Sequence, residues 1–222
     1  MNSPPKTIGT SENSKTSYVS VMRDDRVAIE VIKNDEVIET IRDPALARCL
    51  DPRVVSAGHQ LVLPPISKHL IDEIMVLREK CDCTSPDKIP YLLPLNRSEV
   101  VKRINGTLLI KKGEGNSVIA GMYYYGIEGS DQRTAVLGGY VVDPSERGMG
   151  LSTTILLSTI QHAFSRGIER LISFTAAEKA KKKFTEHGTE GIPSEFGHLL
   201  DKSRKRFGEE KDLVKGFTFT HS

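Results

Sequence analysis

Apolar positions along this chain follow two periods, and the points where one gives way to the other outline the fold. Tyr18 to Met22, Arg26 to Ile32 and Val37 to Ile41 are short β-branched runs. They are separated by the turn-forming stretches Arg23-Asp24-Asp25 and Lys33-Asn34-Asp35-Glu36, a pattern that predicts a small β meander. After Pro64-Pro65 the period lengthens: Ile66, Leu70, Ile74 and Leu77 fall on one face of a helix. The stretch from Cys81 to Pro94 holds three prolines and reads as a loop. Asn96, with Glu99 three residues on, fits a capping box for a short helix to Ile104, which Asn105-Gly106 stops. Strand-like runs then return in Thr107 to Lys111, Ser117 to Ile127 and Arg133 to Val142, three strands joined by turns at Lys112 to Asn116 and Glu128 to Gln132. Leu156, Ile160, Ala163 and Phe164 mark one face of a helix from Leu151 to Arg166, ended by Gly167. A strand from Arg170 to Thr175, a lysine-rich helix from Ala177 to His187 closed by Gly188, a further helix through Leu199 and Leu200, and a strand from Leu213 to Thr220 complete the chain.

Hairpins followed by a right-handed strand–helix–strand crossover predict an α/β (α+β) fold, a mixed, mostly antiparallel sheet with helices on both faces. Three segments are expected: a polar, disordered tail over residues 1–17, the meander and a linker over 18–63, and the main domain over 64–222. A net charge of +2 exerts no whole-molecule pull toward nucleic acid or membrane. No apolar run approaches the roughly 20 residues that span a bilayer, and the polar N-terminus lacks an apolar signal core, so a cytoplasmic protein is expected. Cys49, Cys81 and Cys83 form no disulfide framework, and no partner at metal-site spacing lies near them, so no metal is expected. The edges of the meander could pair two subunits as a homodimer.

Chemistry concentrates in one run, Val142-Asp143-Pro144-Ser145-Glu146-Arg147-Gly148-Met149-Gly150-Leu151-Ser152-Thr153-Thr154, between a strand and a helix. Backbone N–H groups of such a loop and of the first helical turn point outward, and the helix dipole adds partial positive charge. Two glycines allow close approach of a ligand, and Arg147 brings a permanent charge. The run is suited to the phosphates of a nucleotide-bearing cofactor.

Val142-x-Pro144-x-Glu146-Arg147-Gly148-x-Gly150, placed after a strand and before a helix in this order of elements, resembles the acyl-CoA loop of the GNAT superfamily of N-acetyltransferases. The resemblance runs from about Pro64 to the C-terminus and makes 64–222 a GNAT-like acyl-CoA-binding domain. It implies that acetyl-CoA or another acyl-CoA is the cosubstrate. Its pyrophosphate would lie on the amides of Arg147, Gly148, Met149, Gly150, Leu151 and Ser152, with Thr153 adding a hydroxyl. The pantetheine arm would pair with the backbone of Tyr140, Val141 and Val142. The activity implied is acyl transfer to the primary amine of a small molecule or peptide by direct attack on the thioester, with a backbone amide near Val142 polarising its carbonyl.

The proton carriers are not fixed by this resemblance. The family's tyrosine, the usual acid for the CoA thiolate, aligns with Phe184, and the strand from Arg133 to Val142 holds no carboxylate. Tyr124, Tyr140 and Glu128 are the candidate acids or bases, with His187 a further titratable group; alternation sends Tyr124 to the face opposite Tyr123 and Tyr125. Two alternatives stand beside the enzyme: an acyl-CoA-binding module without turnover, and a synthase fed by an acyl-carrier protein. Lys179, Lys181, Lys182 and Lys183 flank the expected groove, either as a solvated face or as a contact for the CoA 3′-phosphate or for an acidic partner.

Overall fold

The computed structural model of the protein describes residues 16–23, 26–33, 36–41, 44–81, 96–112, 117–127, 130, 133–207 and 212–221. The expected tail up to residue 15, most of the proline-bearing loop (82–95) and Glu128 lie outside the described residues.

Ten strands form one mixed sheet: β1 (Thr16–Arg23), β2 (Arg26–Lys33), β3 (Glu36–Ile41), β4 (Gln60–Leu63), β5 (Thr107–Lys111), β6 (Val118–Gly126), β7 (Thr134–Val142), β8 (Arg170–Thr175), β9 (Thr189–Glu190) and β10 (Lys215–Thr220). They lie in the order β3-β2-β1-β4-β5-β6-β7-β8-β10-β9. Every neighbouring pair is antiparallel except β7 with β8, the pair joined through a helical crossover. The meander continues the main sheet instead of standing apart from it, because β1 pairs with β4 through Tyr18↔Leu63 and Val19↔Val62. Residues 44–63 carry elements with no clear periodicity in the sequence: α1 (Pro44–Ala47), α2 (Pro52–Ser56) and β4, all too short to show one.

The remaining helices are α3 (Lys68–Cys81), α4 (Arg97–Val101), α5 (Leu151–Ser165), α6 (Glu178–His187) and α7 (Gly197–Arg206). The capping box of α4 is present in both directions: Glu99 N–H donates to Asn96 Oδ1 at 3.0 Å, and Asn96 N–H donates to Glu99 Oε2 at 3.1 Å. Each face of the sheet has its own apolar core. On one side Leu46, Leu50 and Val54 from α1–α2 pack with Leu151, Ile155 and Leu156 of α5 and with Phe184 of α6. On the other, Ile71, Ile74 and Leu77 of α3 and Val100 of α4 pack on Leu109, Val118 and Val141. Phe196 and Leu199, at the start of α7, meet Val136 and Ile172 in a smaller cluster.

Candidate functional site

The parallel pair β7–β8 is short. Register holds from Thr134↔Arg170 to Leu137↔Ser173 and then stops, although β7 runs on to Val142 and β8 to Thr175. Ser173 Oγ donates to the Leu137 carbonyl at 3.0 Å and ties the strands at their last common rung. The parting starts where β7 bulges against β6. Two steps on β6, Gly121 to Tyr123, face three on β7, Gly138 to Val141. Gly139 has φ +67°, and a Cβ there would lie 2.1 Å from Tyr123 Cε1, so the bulge requires glycine on both counts. The edge of β7 from Gly138 to Val142 therefore has no partner in β8.

At the mouth of this parting the chain turns into α5. Asp143 anchors the turn: its N–H donates to the Ile119 carbonyl at 2.8 Å, and its Oδ1 accepts from Ser145 N–H at 2.9 Å and Ser145 Oγ at 2.7 Å. Burial pushes the Asp143 carboxyl up, but the Ser145 hydrogen bonds and Lys80, 3.4 Å from Oδ2, outweigh it and hold it below the usual carboxylate range. Cys81 Sγ donates to the Val142 carbonyl at 3.3 Å, and Lys112 Nζ reaches Glu146 Oε1 at 2.6 Å. The loop is thus tied to α3 and β5 before α5 begins.

Gly150 caps α5 in the left-handed region at φ +82°, and no side chain caps the helix. Among the described residues, no backbone N–H from Arg147 to Thr153 is given to a protein acceptor. Leu151 points into the core, Ser152 and Thr153 are half-buried, and Arg147 is exposed. The result is a row of free donors at the positive end of a 15-residue helix, opening beside the free edge of β7.

Two residues outside the expected loop hold it from below. Asp51 N–H donates to Thr154 Oγ1 at 3.0 Å, and Arg53 Nη1 donates to the Gly148 carbonyl at 2.9 Å. Asp51 and Arg53 pair with each other, Nη2 to Oδ2 at 2.8 Å and Nε to Oδ1 at 3.0 Å. Hydrogen bonds from the Arg53 side chain and backbone hold the Asp51 carboxyl down at about 2. This carboxylate lies against Gly150, where a Cβ would meet Asp51 Oδ2 at 2.1 Å. Asp51-Pro52 is readable in sequence as a helix start, but nothing local shows that the helix docks on a loop about a hundred residues away.

The tyrosines separate by face. Tyr124 Oη lies 3.0 Å from His162 Nδ1 beneath α5, and burial pushes its phenol up. Tyr123 and Tyr125 lie on the α3 side. Tyr140 occupies the groove between α5 and α6: its Oη donates to the Ser152 carbonyl at 3.1 Å, and its ring centroid is 5.8 Å from that of Phe184. Burial pushes the Tyr140 phenol up to about 12. Phe184 is itself enclosed by Phe217 and Phe219 at 5.5 and 5.6 Å. Of the lysines on α6, Lys181 pairs with Glu178 and Lys183 with Glu186, while Lys179 and Lys182 are exposed. His187 is exposed at the end of α6.

A family model described as the acetyltransferase (GNAT) family matches residues 74–188, more than half of the 222. No curated protein sequence matches the chain. Among solved structures, an N-acetylglutamate synthase from Neisseria gonorrhoeae, complexed with coenzyme A and N-acetyl-glutamate, superposes with TM-score 0.51 at 14% identity over 69% of this chain. The chain spans about a third of that protein, 32% of its length. A GNAT-family acetyltransferase from Staphylococcus aureus Mu50 gives TM-score 0.52 at 10% identity, covering 73% of this chain and 98% of that one. The ribosomal-protein-S18-alanine N-acetyltransferase of Escherichia coli gives 0.50 at 12% identity, covering 74% and 94%. At these identities the likeness is one of fold. Within the described residues, no helix is long and apolar enough to cross a membrane.

Proposed function

Because this chain belongs to the GNAT acetyltransferase family, we propose that it transfers an acyl group from acyl-CoA, acetyl-CoA in the first instance, to a primary amine by direct attack. The observation that carries the reading is the row of free N–H groups from Arg147 to Thr153 opening beside the unpaired edge of β7. A diphosphate needs many oriented donors, and the first turn of α5 offers them with no acidic residue of its own; the Asp51 carboxylate beside Gly150 is balanced by its pair with Arg53. A pantetheine arm carries amides spaced like those of a strand, and β7 from Gly138 to Val142 has a free edge to pair with them. That pairing brings the thioester to the bulge, where a backbone N–H of β7 polarises its carbonyl.

The neutral amine nitrogen attacks the thioester carbon, the C–S bond breaks, and the amide product and CoA thiolate separate. The ammonium proton of the intermediate passes to water. Tyr140 is the phenol placed in the groove beside Phe184. With its pKa at about 12 it stays protonated throughout the physiological range. It does not surrender that proton to a thiolate whose conjugate acid has a pKa of roughly 8.5. Its part is to turn its hydroxyl from the Ser152 carbonyl to the departing sulfur and stabilise the charge until water protonates it. Tyr124 is engaged with His162 beneath α5 and takes no part in this scheme.

Acetyl-CoA at 100 times its Kd should stabilise the protein by about 2.7 kcal/mol in thermal unfolding. Release of free thiol over a panel of amines, polyamines, amino acids and peptides then separates an enzyme from a module that only binds. Stabilisation without thiol release from any acceptor would favour the binding module; absence of both would dismiss the loop assignment. Tyr140→Phe should lower kcat about 10- to 100-fold, the worth of a hydrogen bond to a charged group, with KM for acetyl-CoA nearly unchanged. The pH–rate profile of the native enzyme should show no limb from this phenol below pH 10. An unaltered kcat in the variant would remove Tyr140 from the mechanism.

A further inference from the structure

The α3 side of the parting carries a guanidinium that neither the cofactor loop nor the core uses. Arg103 follows α4, and its Cζ lies 4.9 Å from the ring centroid of Tyr123 and 4.6 Å from that of Tyr125. The two rings project from the same face of β6, with their centroids 6.1 Å apart. Tyr123 lies over the bulge of β7: a Cβ on Gly138 would be 3.1 Å from its ring and one on Gly139 closer still. An unbroken set of contacts thus joins Arg103 to the residues at which β7 leaves β8.

A guanidinium stacked on aromatic rings uses its face and leaves its in-plane N–H groups free. Arg103 Nη1 is buried and has no hydrogen-bond partner among the described residues. Glu99, on the preceding helix α4, accepts from Asn96 N–H in the helix cap. A second positive group, the buried Arg78, also acts on Tyr123: burial pushes that phenol up, Arg103 and Arg78 pull it partly back, and Tyr125 and Glu99 add smaller upward pushes. Across β7 the wall is apolar. Val136, opposite Tyr125 in register, packs with Ile172, Phe196 and Leu199.

We propose that Arg103 is the anion-binding element of the acceptor subsite and that the acceptor is a small amine bearing a carboxylate, an amino acid. The inference rests on the acyl transfer proposed above. A stacked guanidinium presents its donors in one plane, which matches the planar, two-oxygen edge of a carboxylate. The carboxylate satisfies the buried Nη1 donor, the amine is directed toward the bulge of β7, and the side chain lies along the apolar wall of Val136 and Phe196.

The test is thiol release from acetyl-CoA with matched acceptors: free amino acids, their α-amides, and an amine carrying a phosphate in place of the carboxylate. For the native protein, kcat/KM for the amide should be about 10- to 100-fold below that for the acid. Arg103→Gln should bring the acid down to the level of the amide by raising its KM, with KM for acetyl-CoA unaffected, and Arg103→Lys should recover part of the difference. Equal use of acid and amide by the native protein would overturn the proposal, and so would preference for the phosphate-bearing amine. Should no acceptor release thiol, the transferase reading fails, and calorimetric titration of N-acetyl amino acids in the presence of CoA still decides this one. Binding to the native protein that weakens at least tenfold in Arg103→Gln supports it; equal affinity, or no binding to the native protein, overturns it.

Discussion

Gly150→Val should yield a folded protein that acetyl-CoA no longer stabilises. Two independent costs meet at this residue. Its φ of +82° is a conformation that a β-branched residue adopts only under strain. Its Cβ direction is filled by Asp51, whose Oδ2 would lie 2.1 Å from the added carbon. That carboxylate cannot simply swing aside, because Arg53 holds both of its oxygens. The first turn of α5 must shift instead, and the free N–H groups lose their common aim. The helical core below the turn is unaltered, so circular dichroism should match the native protein while the ligand-induced stabilisation falls from about 2.7 kcal/mol to under about 0.5. Gly148→Ala is the control: no atom lies within 4 Å of a Cβ there, so only backbone strain is added and much of the response should remain. Full stabilisation of Gly150→Val by acetyl-CoA would show that the cofactor phosphates bind elsewhere.

Phe184→Ala should remove about 3–5 kcal/mol of stability, a large share of the roughly 5–15 that a protein of this kind has. The ring is 2% exposed and joins α6 to β10 and β7 through Phe217, Phe219 and Tyr140. Those partners are held by strands and cannot collapse into the space, so the cavity stays open. Urea unfolding measures the loss, and Phe184→Leu should cost much less. Because Tyr140 rests on this ring, the alanine variant should also bind acetyl-CoA more weakly. A loss below 1 kcal/mol would show that the site refills and that the groove wall is softer than its packing implies.

The parts of this fold that were legible in the sequence are those whose signals are local. The apolar runs of β5 to β7, the helical faces of α3 and α5, and the glycine loop each depend on residues within a few positions of one another, and the capping box of α4 needs only Asn96 and Glu99. The element order and loop made the GNAT resemblance legible as well. α1 and β4 were not legible and α2 showed only its Asp51-Pro52 start, because the burial of all three comes from α5 and the sheet. Gly138-Gly139 inside a strand is a bulge signal that could have been read, whereas the Tyr123 ring above it is a tertiary fact. Phe184 was readable as the loss of a hydroxyl, but not as one wall of the pocket that holds the Tyr140 phenol. Arg103 gave no signal of its own: a lone arginine after a short helix is ordinary until β6 brings two rings onto it.

On the cofactor binding proposed above, the docking of Asp51 and Arg53 on the glycine loop separates the residues that would touch the ligand from those that determine how well they do so. A chain begun at α3 would retain every residue of the loop and lose the hydrogen bonds to Gly148 and Thr154. The loop would then have to be ordered by its ligand, and each binding event would bear that entropy. On that proposal, positions 51 and 53 form a remote dial for cofactor affinity. Drift at positions 51 and 53 alters how still the loop is kept, and a survey confined to the loop would record no change at all.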